Sequence, residues 1–149
     1  MSLTELNTLA ETDASIDNAV DDYSTSLGKE QDNIVLDSRL GFHFIPGSFK
    51  VFLEVDPMIA AGRILKDKET NPNRSKEDNK SFDNVEEIAS SITSRLASEQ
   101  KRYTELYNIS NNRDHSNYDL VINTGLPENS IDRVPEIIIE GYNKWLGNE

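Results

Sequence analysis

The sequence contains no cysteine, which excludes a disulfide, a cysteine zinc site, an iron–sulfur cluster and a thiol nucleophile. It has only two histidines, His43 and His115, too few for a multi-histidine metal centre. Positive charge is scarce: 15 Lys and Arg face 27 Asp and Glu, for a formal net charge of -12. Nucleic-acid backbones and anionic membranes both call for a basic face, so neither is an expected partner. No apolar run approaches the ~20 residues needed to cross a bilayer. The opening Met1-Ser2-Leu3-Thr4-Glu5 has no signal-peptide pattern, and a cytoplasmic location is the expectation. Glycine is also sparse, and the glycines at 28, 41, 47, 62, 125, 141 and 147 never form G-x-x-x-x-G-K-[ST]. That loop wraps nucleotide phosphates with its backbone N–H groups. Gly28-Lys29 comes nearest, with Tyr23 where the first glycine belongs and Glu30 in place of Ser or Thr.

What is present is one domain's worth of chain, 149 residues, with 36% hydrophobic residues for a modest core. Leu3, Leu6, Leu9 and Ala10 recur at helical spacing. Asp13 caps a second helix bearing Ile16, Ala19, Val20 and Tyr23 and ending near Gly28. Asn33-Ile34-Val35-Leu36-Asp37 reads as a short buried parallel strand, and Phe49 to Val55 as the next. Asp56-Pro57 opens a helix running to about Lys66. Residues 67–83 are polar, with Phe82 as the only large apolar side chain, and read as a lid-like loop. Val85, Ile88, Ile92, Leu96, Tyr103 and Leu106 form the stripe of a long amphipathic helix from Val85 to Tyr107. Asp119 to Thr124 is a third strand, and Ser130 to Leu146 the last helix. Strands alternating with helices predict an α/β three-layer sandwich with a parallel sheet, in one domain over 1–149. Ligands of such sheets bind beyond the carboxyl ends of the strands.

Asp37-Ser38-Arg39 lies at such an end. An acid beside an arginine suits a phosphate or Mg²⁺-phosphate site, because the guanidinium forks onto phosphate oxygens. An ordinary strand-to-loop ion pair uses the same residues. Arg95, Glu99 and Arg102 are spaced by four and then three, so they stack on one face of the long helix. Turning ~100° per residue puts that face at the border of the apolar stripe. Two arginines braced by an acid can grip an anion; a solvated salt-bridge ladder, worth only ~0.3–0.5 kcal/mol per pair, is the alternative. Arg63 and Arg74 complete five arginines around one candidate cleft. His43, between Phe42 and Phe44, reads as packing, and His115 as a solvated loop residue.

Ile34-Val35-Leu36-Asp37-Ser38-Arg39-Leu40-Gly41, Lys50-Val51-Phe52-Leu53 and Ala60-Ala61-Gly62-Arg63-Ile64 carry a resemblance when taken in order. It continues through Ser94-Arg95, Lys101-Arg102-Tyr103-Thr104-Glu105-Leu106-Tyr107 and Asn117-Tyr118-Asp119-Leu120-Val121-Ile122-Asn123-Thr124. From about Leu3 to the C-terminus the chain resembles the cytidylate kinase-like family of P-loop nucleoside monophosphate kinases. The resemblance implies that Asp37 and Arg39 form the acceptor-site pair, with Arg39 on the CMP phosphate. It implies that Arg95 and Arg102 hold that phosphate from the other side while Glu99 helps place the pyrimidine. Arg63 and Arg74 resemble catalytic lid arginines, and residues 1–30 the monophosphate-binding helices.

Two departures accompany the resemblance. Ser38 stands where a glycine is common, and the family's first strand, P-loop and first helix have no counterpart in these residues. The reading is therefore an N-terminally incomplete cytidylate kinase-like protein whose intact form transfers the ATP γ-phosphate to CMP or dCMP. Mg²⁺ with ATP is expected for the intact form alone, and no metal or cofactor for this chain. Phosphoryl transfer is mostly positioning and charge neutralisation, so this chain is expected to be inactive. The alternative is a non-catalytic nucleotide-binding or interaction module. The strands at 33–37 and 51–55 would flank the missing central strand. They are expected to close together, or to have the gap filled by another segment or by strand exchange in a homo-oligomer.

Overall fold

A computed structural model describes Leu9 and residues 13–31, 33–71 and 84–147. Their order is α1 (Ala14–Glu30), α2 (Gly41–Phe44), β1 (Val51–Glu54), α3 (Pro57–Thr70), α4 (Val85–Tyr107), a 3₁₀ turn (His115–Asn117), β2 (Leu120–Asn123) and α5 (Arg133–Trp145). The described residues thus form a mixed α/β structure with a small parallel sheet. The chain divides into two compact units, one of Met1–Asn18 with Asp56–Ser110 and the other of Ala19–Val55 with Asn111–Glu149. None of the described helices is long and apolar enough to cross a membrane.

The first unit is built on α3 and α4. Asp56 Oδ1 accepts from Met58 N at 2.8 Å and Ile59 N at 3.4 Å, while Pro57 begins the helix without wasting a donor. α3 continues to Thr70, four residues past the expected end; residues 72–83 of the expected lid, with Arg74, lie outside the described residues. Asn84 Oδ1 caps α4 through Glu87 N at 2.8 Å. At its other end Asn108 turns left-handed, φ 57°, and its N–H returns to Thr104 O. Between the helices, Ala61, Ile88 and Ala89 are buried, with Ile64, Leu65, Val85 and Ile92 packed around them.

In the second unit β1 and β2 pair in parallel, Val51 with Leu120 through Glu54 with Asn123. α5 lies close on this sheet: a Cβ on Gly141 would come within 3.1 Å of Leu120 Cδ2 and 3.3 Å of Phe49 Cζ. Phe49, Tyr142 and Trp145 complete the contact, with ring centroids 5.6–6.0 Å apart. Phe52 stacks on Tyr118 at 4.8 Å, and Tyr118 also meets Phe42 at 5.4 Å.

The expected strand over 33–37 does not form. Residues 34–38 join no ladder, and Val35 is fully exposed. A β-branched run carries strand propensity only in context, and among the described residues no neighbour pairs with it. The other two strands are shorter than expected, four residues each. Of the opening helix expected on Leu3, Leu6, Leu9 and Ala10, only Leu9 lies within the described residues. Asp13 Oδ1 does accept from Ser15 N at 2.9 Å at the start of α1, which runs to Glu30 rather than Gly28.

Candidate functional site

α4 carries the clearest assembly of charged side chains. Its 23 residues form one uninterrupted helix, so the four-and-three spacing of Arg95, Glu99 and Arg102 becomes a single stacked row. Glu99 and Arg102 are both buried, whereas the Arg95 side chain is 43% exposed. Charged residues are seldom buried unless paired. Arg95 Nε lies 3.8 Å from Glu99 Oε1, an ion-pair distance. Arg102 Nη1 donates to Ser98 Oγ at 3.2 Å. The row is therefore buried at Glu99 and Arg102 and open to solvent at Arg95. The Arg95–Glu99 pair has the i,i+4 spacing of a salt-bridge ladder, while the Arg102 guanidinium is buried beside Ser98.

Ser98 was not foreseen, although its i,i+4 spacing to Arg102 was readable in the sequence. Arg63 lies exposed on α3 in the same unit. Asp37, Ser38 and Arg39 lie in the second unit and are all exposed, just before buried Leu40. Ser38 Oγ accepts from Leu40 N at 3.3 Å, so the residue standing for the family's glycine shapes this turn with its hydroxyl.

His115 is exposed, as expected of a solvated loop residue, yet it has a partner. Its Nε2 lies 3.0 Å from Glu54 Oε2, and its ring is 6.1 Å from Phe52. Arg113 places its guanidinium carbon 5.2 Å from the Phe52 ring centroid. These partners are 61 residues apart in one case and unrelated in local pattern, so no sequence signal announced them. His43 is exposed and meets its neighbours Phe42 and Phe44 edge-on, so the expected packing role is not matched by burial. Burial is the main cause raising the Tyr118 pKa, with Arg113 opposing it. The Ser116 hydroxyl and N–H hold the Asp114 carboxyl below its ordinary value.

Among the described residues no three His, Asp or Glu side chains converge in a way that could hold a metal ion. No glycine-rich phosphate loop occurs in the sequence either.

The fold and the site define a mixed α/β protein with a helix-borne arginine row braced by a buried acid and a serine. No family model matches the chain, and no solved structure does. Curated proteins do match. The chain is 37% identical over 125 residues to a cytidylate kinase of Methanothrix thermoacetophila, covering 84% of this chain and 64% of that one. It is 33% identical over 146 residues to a cytidylate kinase of Haloquadratum walsbyi, covering 95% of this chain and 68% of that one. An S-adenosylmethionine-dependent nucleotide dehydratase of Lacinutrix mariniflava is 30% identical over 150 residues, covering 97% of this chain and 27% of the dehydratase. The chain belongs to the cytidylate kinase family. It spans about 64% of the length of the Methanothrix relative and of a similar one from Methanosphaera stadtmanae.

Proposed function

We propose that this chain supplies the acceptor side of a nucleoside monophosphate kinase and binds CMP or dCMP. The observation that carries the reading is the buried Arg102, braced by Ser98, in one row with the Arg95–Glu99 pair. A guanidinium held in place loses less freedom when it meets a phosphate, and its fork matches phosphate oxygens. In this reading Arg95 and Arg102 hold the monophosphate, Glu99 orients Arg95 and the pyrimidine, and Asp37 with Arg39 forms the acceptor-site pair. Residues 1–30 carry the monophosphate-binding helices, 67–83 form the lid with Arg74, and Arg63 on α3 joins Arg74 beside the transferring group.

In the whole kinase an oxygen of the CMP phosphate attacks the γ-phosphorus of Mg²⁺-bound ATP. The new P–O bond gives CDP as the bond to the β-phosphate oxygen breaks and releases ADP. That protein has the three-layer P-loop fold and works in the cytoplasm. The 149-residue chain by itself binds the acceptor and does not turn over, for want of a phosphate cradle. Nucleic acid is not a partner of a chain with net charge -12.

Calorimetry with CMP tests the reading. Arg95→Ala should weaken binding by roughly 1.5–3 kcal/mol, the range for a charged hydrogen bond. Arg133→Ala, on α5 where Arg133 pairs with Glu136 and Glu140, should leave it unchanged. Equal affinities of wild type and Arg95→Ala would return the row to a structural role. A second reading, a non-catalytic nucleotide-binding module, is favoured by one observation. Nearly the whole chain, 97%, matches a minor part, 27%, of a protein named as a nucleotide dehydratase. CMP binding that survives Arg95→Ala, Arg102→Ala and Arg39→Ala would favour that module over an acceptor site.

A further inference from the structure

The two guanidiniums of α4 are held by different chemistry. Arg95 faces a carboxylate, with its Nε 3.8 Å from Glu99 Oε1. Arg102 donates from Nη1 to a hydroxyl, Ser98 Oγ, at 3.2 Å. Helix geometry selects that second partner. Long side chains on a helix lean back toward its N-terminus, over the turn that precedes their own Cα. Arg102 therefore reaches the side chain four residues earlier, and position 98 supplies an oxygen there.

Burial gives that oxygen its weight. Arg102 is only 8% exposed, and Ser98 is half-buried. A buried donor that loses its acceptor carries the cost of its own desolvation. An arginine also gives up much rotamer freedom when it is held in one geometry. The bond to Ser98 takes that freedom before any ligand arrives. A ligand that meets Arg102 then has less left to order.

The neutrality of the hydroxyl is the second half of the argument. A carboxylate at position 98 would grip the guanidinium harder, because charge-assisted hydrogen bonds are about twice as strong as neutral ones. It would also offset the positive charge that an incoming anion needs. A hydroxyl fixes the plane of the guanidinium and leaves the charge intact. Against a net charge of -12, that local positive charge is what draws an anion.

We infer that Ser98 is a positioning residue, whose hydroxyl holds the Arg102 guanidinium in the orientation that receives the phosphate of the acceptor without neutralising it. The inference rests on the reading of Arg102 as a phosphate-holding residue. Ser98 acts through Arg102 and does not itself touch the ligand.

Calorimetry with CMP on the 149-residue chain separates this role from plain structural support. Ser98→Ala should weaken binding by roughly three- to tenfold, the scale of one hydrogen bond. Ser98→Thr keeps the hydroxyl and should restore affinity to within about twofold. Ser98→Asp keeps an acceptor but adds a charge, and should bind CMP more weakly than Ser98→Ala. In an Arg102→Ala background Ser98→Ala should change nothing further. Nitrogen-15 NMR of the unliganded chain reads the brace directly: rotation of the Arg102 guanidinium should be slow in wild type and faster in Ser98→Ala.

A freely rotating Arg102 guanidinium in wild type overturns the inference, whether or not the variants fold. So does wild-type affinity in Ser98→Ala or Ser98→Asp, or a failure of Ser98→Thr to rescue. A loss that persists in the Arg102→Ala background overturns it too, by placing Ser98 on the ligand itself. Weaker binding by Arg102→Ala with none by Ser98→Ala defeats the Ser98 role alone. Full affinity in Arg102→Ala, or no CMP binding by wild type, defeats the acceptor-site reading and this inference with it.

Discussion

At the residue scale, tolerance follows from how much room each side chain has. Gly28 sits late in α1, where a helix gains up to ~1 kcal/mol from Ala in place of Gly. A Cβ there would nevertheless lie 2.8 Å from Ile45 Cγ1 and 2.9 Å from Cγ2. Overpacking costs typically ~1–3 kcal/mol. The clash outweighs the propensity gain, so Gly28→Ala should lower stability by about 1 kcal/mol net, read from the urea midpoint at constant slope.

The loop charges answer to pH in a direction the contacts fix. Asp114, an exposed carboxylate, is held below its ordinary value of 3.8 by the Ser116 hydroxyl first and the Ser116 N–H second. A depressed folded pKa stabilises above the unfolded value, and that contribution is lost as pH falls through the folded value. Ser116→Ala removes the hydroxyl and should move the Asp114 titration midpoint up toward 3.8 in a carboxyl NMR titration, with the backbone bond retaining part of the shift. An unchanged midpoint would show that the hydroxyl bond is not populated in solution.

At the scale of elements, the capped helix starts at Asp13 and Asp56 were the most legible part of the sequence. Asp56 before Pro57 announces its own geometry, because a carboxylate followed by a residue lacking N–H suits only the first turn of a helix. Asp56→Ala removes the acceptor for Met58 N and Ile59 N and should cost ~1 kcal/mol, within the usual range for a cap. Thermal unfolding of wild type and variant checks it. The long helix was equally clear, since its stripe recurs over 23 residues and its arginine row follows from spacing alone. The strand at 33–37 was misread for a physical reason: β structure is completed by partners, and local composition cannot report whether one is there. The same reason hid the Glu54–His115 contact, which joins residues 61 apart. Ser98, only four residues from Arg102, was within reach and was passed over.

At the scale of the whole molecule, charge and chemistry pull in opposite directions. A chain with 27 acidic residues against 15 basic ones sets a negative background against any phosphate ligand. The α4 row sets two guanidiniums against that background, one of them buried, and on the proposed reading they meet the charge of a monophosphate. A triphosphate asks for more. It needs a loop of converging N–H groups, a lysine and a metal ion to neutralise the charge that moves during transfer. These 149 residues contain no G-x-x-x-x-G-K-[ST] loop to supply it. The 149-residue chain assayed alone with CMP and Mg²⁺-ATP should therefore bind CMP without forming ADP, which a coupled assay reads directly. Turnover of ~1 s⁻¹ or more, inside the usual kinase range, would mean that these residues build a phosphate site from other groups. In that event Arg63→Ala and Arg74→Ala become the first variants to measure, because a loss of kcat at constant KM would place them on the transferring phosphoryl group.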